Sequence, residues 1–404
     1  MKYLDLVILA GGKGTRIRNL THNKPKPLAK IGKYTFLDLL LSNVSKYHFR
    51  KIIILAGFKG KQLYIKYHNK KVNLIKIECI IEKKPLGTGG AINKIKNKLT
   101  NNFFVINGDT ISDFNFYDLI KSKKKKKSVL ALTKSKFSNR GNNIRNLYLD
   151  KDKVVKIAEK QKKHIFKSSG VCLLDKSIFQ NITETKFSLE DKLLSKLIKK
   201  KEIIGYKKKF FFYDIGTKSD FINAKKKLLN HLMRPAVFFD RDNTINADTG
   251  YTHKYKDFKF INNSYNALKF LSNKNISIFI ITNQAGIGKG LFTEDEFINL
   301  HLKLKKMLID KKIFINEVKY CPYHPQASIK EYRKISSLRK PNNLMIKQIF
   351  DKFVIDKNKT IMIGDHLKDQ ACAKKSKLKF QFVKKNLLMQ IKNSLIFKKK
   401  VLKI

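Results

Sequence analysis

Short apolar runs alternate with amphipathic segments along most of the chain. Residues 6–10, 52–56 and 103–106 each have the length and composition of a buried strand, and the spacing of apolar positions over 36–44 predicts an amphipathic helix. No apolar run reaches the roughly 18 residues that a membrane-spanning helix needs. The alternation predicts an α/β protein whose mostly parallel sheets are flanked by helices.

The pattern breaks once and then resumes. Residues 218–233 are typical of a closing helix, and Arg234 with Pro235 ends it. Strands are then predicted at 236–239, 276–281 and 361–364, with a helix from about Tyr265 and a capping box between Thr293 and Glu296. A chain of 404 residues has room for two cores. We therefore predict two domains, residues 1–232 and 235–395, each with its own sheet.

The composition is strongly basic, with 88 lysines and arginines against 31 acidic residues and a net charge of +57. Such a charge raises nucleic acid as a partner, but only nine of the basic residues are arginine, and the lysines lie in every segment. A base-reading surface normally groups arginines with aromatics, so no specific nucleic acid is expected. Four separated cysteines without a CxxC pair, and a start that enters a glycine loop rather than a signal peptide, predict a cytoplasmic protein.

Two carboxylates follow the apolar run 236–239. Asp240 and Asp242 are spaced so that both can approach one metal while one attacks a substrate and the other handles a proton. An ordinary strand followed by a polar turn explains this pair alone equally well. The motifs farther along the chain favour the catalytic interpretation.

A glycine loop that runs from Gly11 to Arg16 follows the first strand, and the turn KPKPL at 24–28 presents Lys26. This pair of motifs resembles the sugar-nucleotide pyrophosphorylases, which join a nucleoside triphosphate to a sugar 1-phosphate. The resemblance implies that Asp109 and Asp214 bind Mg²⁺ and that Arg16 and Lys26 stabilise the triphosphate. It also implies that substrate contacts are made by Gly11, Gly12, Gly14, Thr15, Glu82, Gly87, Thr88, Gly89, Glu159, Lys160, Gly170 and Glu190.

The second half resembles the haloacid dehalogenase superfamily of phosphatases. The segments TNQAGIGKG, DTGY, CPYHP and RKP are similar to the heptose 1,7-bisphosphate phosphatase group, with histidinol phosphatase as a near relative. The resemblance implies that Asp240 is the nucleophile, that Asp242 is the acid and base, and that Thr282 and Lys340 stabilise the phosphoryl group. Asp240, the backbone of Asp242 and Asp365 would hold Mg²⁺. Implied substrate contacts are Asp248, Gly250, Tyr251, Asn283, Gln284, Arg339 and His366.

Two departures from that group stand out. Asn243 lies where the group usually has glycine, and asparagine is the residue best able to keep a positive φ there. The group also carries a structural zinc, of whose four ligands only Cys321 remains, because Tyr323, Ser336 and Leu338 occupy the other positions. We predict that this zinc is absent. Its loop would be held by packing of four side chains, those of Tyr323, Tyr332, Ile335 and Leu338.

The two resemblances fit one pathway. Residues 39–60, with GTGGA and FFVINGDT, are most similar to D-glycero-D-manno-heptose 1-phosphate guanylyltransferases, whose substrate is the product of the phosphatase reaction. The expected partners are therefore sugar phosphates and a nucleoside triphosphate, with GTP favoured. A hexose 1-phosphate nucleotidyltransferase fused to another small-ester phosphatase, or to a degenerate regulatory module, stays open. The base, the anomer and homo-oligomer formation are also open.

Overall fold

The protein forms two compact units. The first comprises Met1–Asn43 and Phe49–His231, and the second comprises Val44–His48 and Leu232–Ile404. The computed structural model describes residues 4–113, 115–123, 128–133, 147–150, 155–157, 166–207 and 210–394. Within these ranges no helix has the length and hydropathy to span a membrane.

The first unit contains one eight-stranded sheet, further short paired strands and flanking helices. Its strands are β1 (Leu4–Ala10), β2 (Lys30–Ile31), β3 (Tyr34–Thr35), β4 (Phe49–Ala56), β5 (Lys71–Val72), β6 (Ile75–Ile81), β7 (Asn102–Asn107), β8 (Thr110–Ser112), β9 (Ser128–Thr133), β10 (Leu147–Leu149), β11 (Val155–Ile157), β12 (Lys167–Asp175), β13 (Ile203–Tyr206) and β14 (Phe212–Asp214). Its helices are α1 (Phe36–Val44), α2 (Gly60–Tyr67), α3 (Gly87–Ile95), α4 (Phe116–Ser122), α5 (Ser195–Lys199) and α6 (Lys218–Leu232), together with a π-helix at Leu189–Leu194.

The strand order in this sheet is β13-β9-β12-β7-β1-β4-β6-β5. Strand β1 pairs in parallel with β4 and β7, and β4 pairs in parallel with β6, whereas β12 runs antiparallel to both of its neighbours. Apolar side chains from one sheet face, including Val7, Ile53 and Phe103, are fully buried against α3 and its neighbours. Burial of each such side chain stabilises the fold by roughly 1.5–3 kcal/mol. Because β1 and its neighbours β4 and β7 run parallel, the carboxyl ends of these three strands lie at one edge of the sheet.

The second unit contains a five-stranded, all-parallel sheet in the order β17-β16-β15-β18-β19. The strands are β15 (Arg234–Phe239), β16 (Ser277–Asn283), β17 (Glu317–Cys321), β18 (Ile355–Gly364) and β19 (Lys379–Phe382). The helices are α7 (Ser264–Asn273), α8 (Ala285–Gly288), α9 (Glu294–Asp310), α10 (Leu344–Lys352), α11 (Leu367–Lys375) and α12 (Leu387–Lys392).

The predicted fold class is confirmed in both units. The predicted helix over residues 36–44 coincides with α1, and the predicted capping box is present because Thr293 and Glu296 bond each other's backbone at the start of α9. Strands are generally longer than their apolar runs. For example, β18 starts at Ile355, although the sequence indicated only residues 361–364. Polar residues at an exposed strand start escape a search for apolar runs.

Candidate active sites

The first unit has a cleft of about 460 Å³ at one edge of its sheet. It lies where the parallel strands β1, β6 and β7 end, so the segments that follow them line it. The volume suits a small-molecule ligand. The cleft brings together many of the predicted residues, which are Gly11, Gly12, Gly14, Lys26, Glu82, Gly87, Thr88, Asp109 and Glu190.

A lysine and an aspartate form an ion pair in this cleft. The Nζ atom of Lys26 lies 3.0 Å from Oδ2 of Asp109, and the two side chains are only 12% and 19% exposed. Asp214 lies opposite Thr110 in the β14–β8 pairing, and the Ile215 amide donates to the Asp109 carbonyl at 3.2 Å. The two carboxylates predicted to bind metal therefore lie on neighbouring strand ends.

Thr88 joins the start of α3 to the π-helix. Its hydroxyl donates to Oε2 of Glu190 at 2.7 Å and accepts from the Leu189 amide at 2.8 Å. π-Helices are rare and occur frequently at functional sites. Here the π-helix presents Glu190 on the cleft wall, where the resemblance implies a substrate contact.

Gly87 is required where α3 approaches the segment before the π-helix. It adopts φ 72°, and a Cβ built on it would lie 2.4 Å from the Phe187 carbonyl oxygen. Only glycine tolerates both conditions without strain. The same carbonyl accepts from the amides of Gly89 and Gly90 at 3.0 and 3.2 Å. The glycines of the GTGG segment therefore allow close backbone packing beside the cleft.

Other predicted residues of this half do not line the cleft. Thr15 and Arg16 are exposed, in a short 3₁₀ turn that ends at Ile17. Gly89 packs against the Phe187 ring, and Gly170 lies in β12 where its register with β9 shifts. Glu159 and Lys160 lie outside the described residues, so their predicted sugar-phosphate contact stays a prediction.

The second unit collects its polar residues at the ends of three adjacent parallel strands. Asp240 follows β15, Thr282 lies near the end of β16, and Asp365 follows β18. Oxygen atoms of Asp240, Asp365 and Asp369 lie within 4.8 Å of one another. Clustered carboxylate oxygens suit a hard divalent cation. Asp369 was not among the predicted ligands, although its spacing four residues after Asp365 was visible.

Lys340 lies between two of these acids. Its Nζ is 2.7 Å from Oδ1 of Asp240 and 2.6 Å from Oδ1 of Asp369, and the lysine is 3% exposed. Burial raises the pKa of Asp240, and Lys340 only partly offsets that rise. Burial alone would lower the pKa of Lys340, but the charges of Asp240 and Asp369 outweigh it and raise that pKa. The lysine is therefore held in its charged form.

Asp242 has its carboxylate oriented by its neighbours. Arg241 donates from Nε to Oδ1 at 2.9 Å, Asn246 donates to the same oxygen at 3.1 Å, and Gln284 donates to Oδ2 at 2.9 Å. Gln284 also donates to the Thr282 hydroxyl at 2.8 Å. Arg241 is fully buried and was not predicted. No motif signal distinguished it from a solvated arginine.

Some predicted substrate contacts bond to the protein instead. Asn283 and Lys340 exchange two bonds, because Asn283 Nδ2 donates to the Lys340 carbonyl at 3.1 Å and the Lys340 amide donates to Asn283 Oδ1 at 3.0 Å. His366 caps α11 by accepting from the Lys368 amide at 3.1 Å. Tyr251 accepts from Lys289 Nζ at 3.0 Å, and its ring is 37% exposed. The contacts of Asn283, His366 and Tyr251 with a substrate stay predictions.

The turn at residues 240–246, called the nucleophile turn after the predicted role of Asp240, keeps the backbone expected from the sequence. Asn243 has φ 53°, which confirms the positive φ predicted at the position where the resemblance implies glycine. The Asn243 amide donates to the Asn246 carbonyl at 2.7 Å and closes the turn. Replacing glycine has therefore not opened the turn that carries Asp240 and Asp242.

The loop at residues 321–339, for which the resemblance implies a zinc site, is held by contacts between side chains. Cys321 is buried, and the Tyr323 and Tyr332 rings lie 5.9 Å apart as predicted. Lys334 lies over the Tyr323 ring at 4.1 Å. The predicted packing of Ile335 is wrong, because this side chain is 87% exposed. Ile335 lies in an irregular segment after the 3₁₀ turn at Lys330–Tyr332, and the Lys334 cation covers the Tyr323 ring instead.

Arg333 contributes a second set of contacts to this loop. Its Nε donates to the Ala327 carbonyl at 2.7 Å, and Nη2 donates to the Ser328 carbonyl at 3.1 Å. One thiol among a phenol, a hydroxyl and a leucine is not a zinc donor set, so these residues do not fit that ion. Leu338 packs against the core of the unit as predicted.

Comparison with known families covers nearly the whole chain. Residues 6–231, more than half of the chain, match the family described as Nucleotidyl transferase, and residues 235–396 match the family described as Polynucleotide kinase 3 phosphatase. D-glycero-beta-D-manno-heptose-1,7-bisphosphate 7-phosphatase of Escherichia coli (strain K12) is 38% identical over 139 residues, which are 34% of this chain and 73% of that protein. The protein of that name from Photorhabdus laumondii is 38% identical over 144 residues, 36% of this chain and 77% of that protein.

A solved structure was also found for the first half. The crystal structure of HddC from Yersinia pseudotuberculosis is 29% identical and covers 56% of this chain and 99% of its own, with a TM-score of 0.47. HddC has also been solved complexed with GMP-PN.

The fold and the two acidic sites define an enzyme with a nucleotidyltransferase domain and a phosphatase domain in one chain. The chain belongs to the nucleotidyl transferase family through its first half and to the D-glycero-beta-D-manno-heptose-1,7-bisphosphate 7-phosphatase family through its second. The predicted fusion is therefore confirmed.

Proposed function

We propose that the chain makes a nucleotide-activated heptose in two steps. The phosphatase domain removes one phosphate from D-glycero-D-manno-heptose 1,7-bisphosphate, and the transferase domain joins GMP from GTP to the resulting heptose 1-phosphate, releasing pyrophosphate. The observation that carries the proposal is the pairing, in one chain, of a heptose bisphosphate phosphatase relative with a nucleotidyl transferase domain. The product of one reaction is the substrate of the other.

In the phosphatase site the residues have distinct roles. Asp240 attacks phosphorus and forms an aspartyl phosphate, while Asp242 gives a proton to the leaving alkoxide and then takes one from water. Lys340 neutralises charge on the phosphoryl oxygens, and the Thr282 hydroxyl donates a hydrogen bond to the same group. The positions of Asp240 and Lys340, 2.7 Å apart, support this division because the lysine already faces the attacking carboxylate.

Magnesium is the ion that fits the three clustered acids of this site. Asp240, Asp365 and Asp369, with the backbone of Asp242, would hold it. Asp109 would hold another ion at the transferase cleft together with Asp214, which is buried behind the residues that line the cleft. When bound, the ion shields the charge of the phosphate groups from the attacking oxygen. Zinc does not fit the residues around Cys321, and its absence stays part of the proposal.

In the transferase cleft the sugar phosphate oxygen attacks the α-phosphorus directly, so no covalent nucleophile is needed. Lys26 leaves Asp109 to bind the triphosphate, Arg16 joins it, and Glu190 holds sugar hydroxyls. The segment Gly87–Gly89, with Glu82, holds the nucleoside. The location of Lys26, Glu82 and Glu190 on one cleft supports these roles.

We further propose that residues 1–232 and 235–395 are the two folding domains and that the enzyme works in the cytoplasm. A direct assay decides the central claim. Purified protein is given heptose bisphosphate with each nucleoside triphosphate, and phosphate, pyrophosphate and sugar nucleotide are measured. We expect all three with GTP. A clear preference for mannose 1-phosphate over heptose 1-phosphate would overturn the pathway while leaving both reaction types standing.

A further inference from the structure

The two residues that flank Asp242 each hold one end of the loop at 248–252, which we call the substrate loop. Arg241 Nη2 donates to the Thr252 carbonyl at 2.8 Å, and Asn243 Oδ1 accepts from the Asp248 amide at 3.2 Å. We propose that Arg241 and Asn243 are positioning residues that couple the nucleophile turn to the substrate loop. This inference rests on the proposed phosphatase function for its kinetic consequence only.

The contribution of Asn243 depends on its side chain. A glycine at this position supplies the same backbone conformation but has no side chain that could reach the loop. Asparagine keeps φ 53° and adds an acceptor directed at Asp248. The closed turn, in which the Asn243 amide bonds the Asn246 carbonyl at 2.7 Å, fixes where that acceptor points.

The ends of the substrate loop are also tied to each other. Asp248 Oδ1 accepts from the Thr252 amide and from the Thr252 hydroxyl, both at 3.1 Å. Gly250 has φ 106° with open space where a Cβ would be, and Tyr251 has φ 60°. The tip of the loop is exposed, so its position depends on the anchored ends together with the contacts of Tyr251, whose hydroxyl accepts from Lys289 Nζ at 3.0 Å and whose carbonyl lies 2.8 Å from His253 Nδ1.

Arg241 is the stronger of the two anchors. It is fully buried, and its planar fork bonds the Asp242 carboxylate while one nitrogen also reaches the Thr252 carbonyl. The bond of Asn243 is exposed and correspondingly weaker. Removing Asn243 therefore frees one end of the loop and leaves the orientation of Asp242 intact, which makes it the cleaner test.

Hydrogen exchange on the full-length protein tests the coupling without any substrate. In Asn243→Gly, the amides of Asp248 and Thr252, which donate to the side chains of Asn243 and Asp248, should exchange about three- to tenfold faster, as expected for loss of one exposed hydrogen bond. Asn243→Asp keeps both the acceptor and the positive φ and should restore protection. Asn275→Gly is the matched control, because Asn275 is also exposed with φ 55° in the same unit. Unchanged exchange in Asn243→Gly would overturn the proposal.

Arg241→Lys extends the test to the second anchor. Lysine keeps the charge but loses the planar fork, so the loop amides should exchange at least as fast as in Asn243→Gly. Wild-type exchange in a folded Arg241→Lys protein would remove Arg241 from the proposal.

Kinetics separate this inference from the proposed function. With heptose bisphosphate, Asn243→Gly should raise KM about three- to tenfold and leave kcat within about twofold, since the nucleophile is untouched. Hydrolysis of p-nitrophenyl phosphate, which does not extend to the loop, should not change. Faster exchange with no activity on heptose bisphosphate would sink the proposed substrate and leave the coupling standing. A loss of kcat equal to the loss of kcat/KM would contradict a positioning role.

Discussion

Both candidate sites contain a lysine paired with an aspartate that is proposed to bind metal, yet the two pairs differ in depth. Lys26 meets one acid, Asp109, at the wall of an open cleft, and both side chains keep some exposure. Lys340 meets two acids, Asp240 and Asp369, and is 3% exposed while Asp369 is 1% exposed. An incoming triphosphate can draw Lys26 away from its partner. Lys340 is instead a fixed part of its site.

The largest expected effect comes from removing each acid separately. Asp240→Asn should lower phosphate release at least about a thousandfold, because it removes the proposed nucleophile, and should leave nucleotide transfer from supplied heptose 1-phosphate nearly intact. Asp109→Asn should do the reverse. Both reactions are measured in both variants. Loss of both activities in either folded variant would mean that the two sites do not act separately.

The two lysines should differ in their effect on stability. Lys340→Met leaves the buried Asp369 and the 14% exposed Asp240 without their cation and should cost about 3–5 kcal/mol of unfolding free energy, mostly through Asp369. Lys26→Met should cost about 1 kcal/mol or less, because water can reach Asp109. Denaturant unfolding, with hydrogen exchange to assign each transition to its unit, gives both values. Equal losses of unfolding free energy in the two variants would show that the difference in burial between the two lysines does not affect stability.

The stability cost of Lys340→Met should also depend on pH. Lys340 lowers the pKa of Asp240 against the effect of burial, so removing the lysine raises that pKa further. A carboxyl group whose folded pKa lies above the unfolded value of about 4 favours folding at low pH and loses that contribution as pH rises. Because burial already raises the pKa of Asp240 to about 7 in the wild type, both proteins lose this contribution alike between pH 4 and 7. The cost of Lys340→Met should therefore change little over that range and should grow from about pH 7 to about pH 9, where the variant goes on losing it. A cost that stays constant above pH 7 would argue against a further rise in the pKa of Asp240.

The smallest expected effect concerns zinc. Dialysed protein should retain none, because the residues around Cys321 lack the donor set, and phosphatase activity supported by magnesium should be insensitive to a zinc chelator. Elemental analysis of the folded protein is the measurement. About one tightly held zinc per chain would show that the loop carrying Arg339 and Lys340 is anchored as in zinc-bearing relatives.

The sequence allowed both sheets and the acids at their strand ends to be predicted. Apolar runs mark strands, and a polar residue after such a run lies at a sheet edge, so Asp109, Asp240 and Asp365 could be placed. Asp369 was passed over because its role depends on where α11 turns it. The predicted fold needed only local patterns.

What the sequence did not indicate depends on contacts between distant segments. The bond between Asn283 and the Lys340 backbone joins residues 57 positions apart, and of the two acids beside Lys340 one follows β15 and the other lies on α11. Arg241 was indistinguishable from a surface arginine until its burial was known. Ile335 shows the opposite error, because this apolar residue was predicted to pack in the loop although it is exposed.

The π-helix at Leu189–Leu194 makes the transferase site sensitive to a change in chain length. A π-helix spaces its bonds one residue wider than an α-helix, so the segment holds a surplus residue. Deleting a single codon after Ser188 would let ordinary α-helical spacing close, and each residue of register turns a helical side chain by about 100°. Glu190 would then leave Thr88 and face away from the cleft. A one-residue deletion could thus remove Glu190 from the cleft without substituting any residue that lines it.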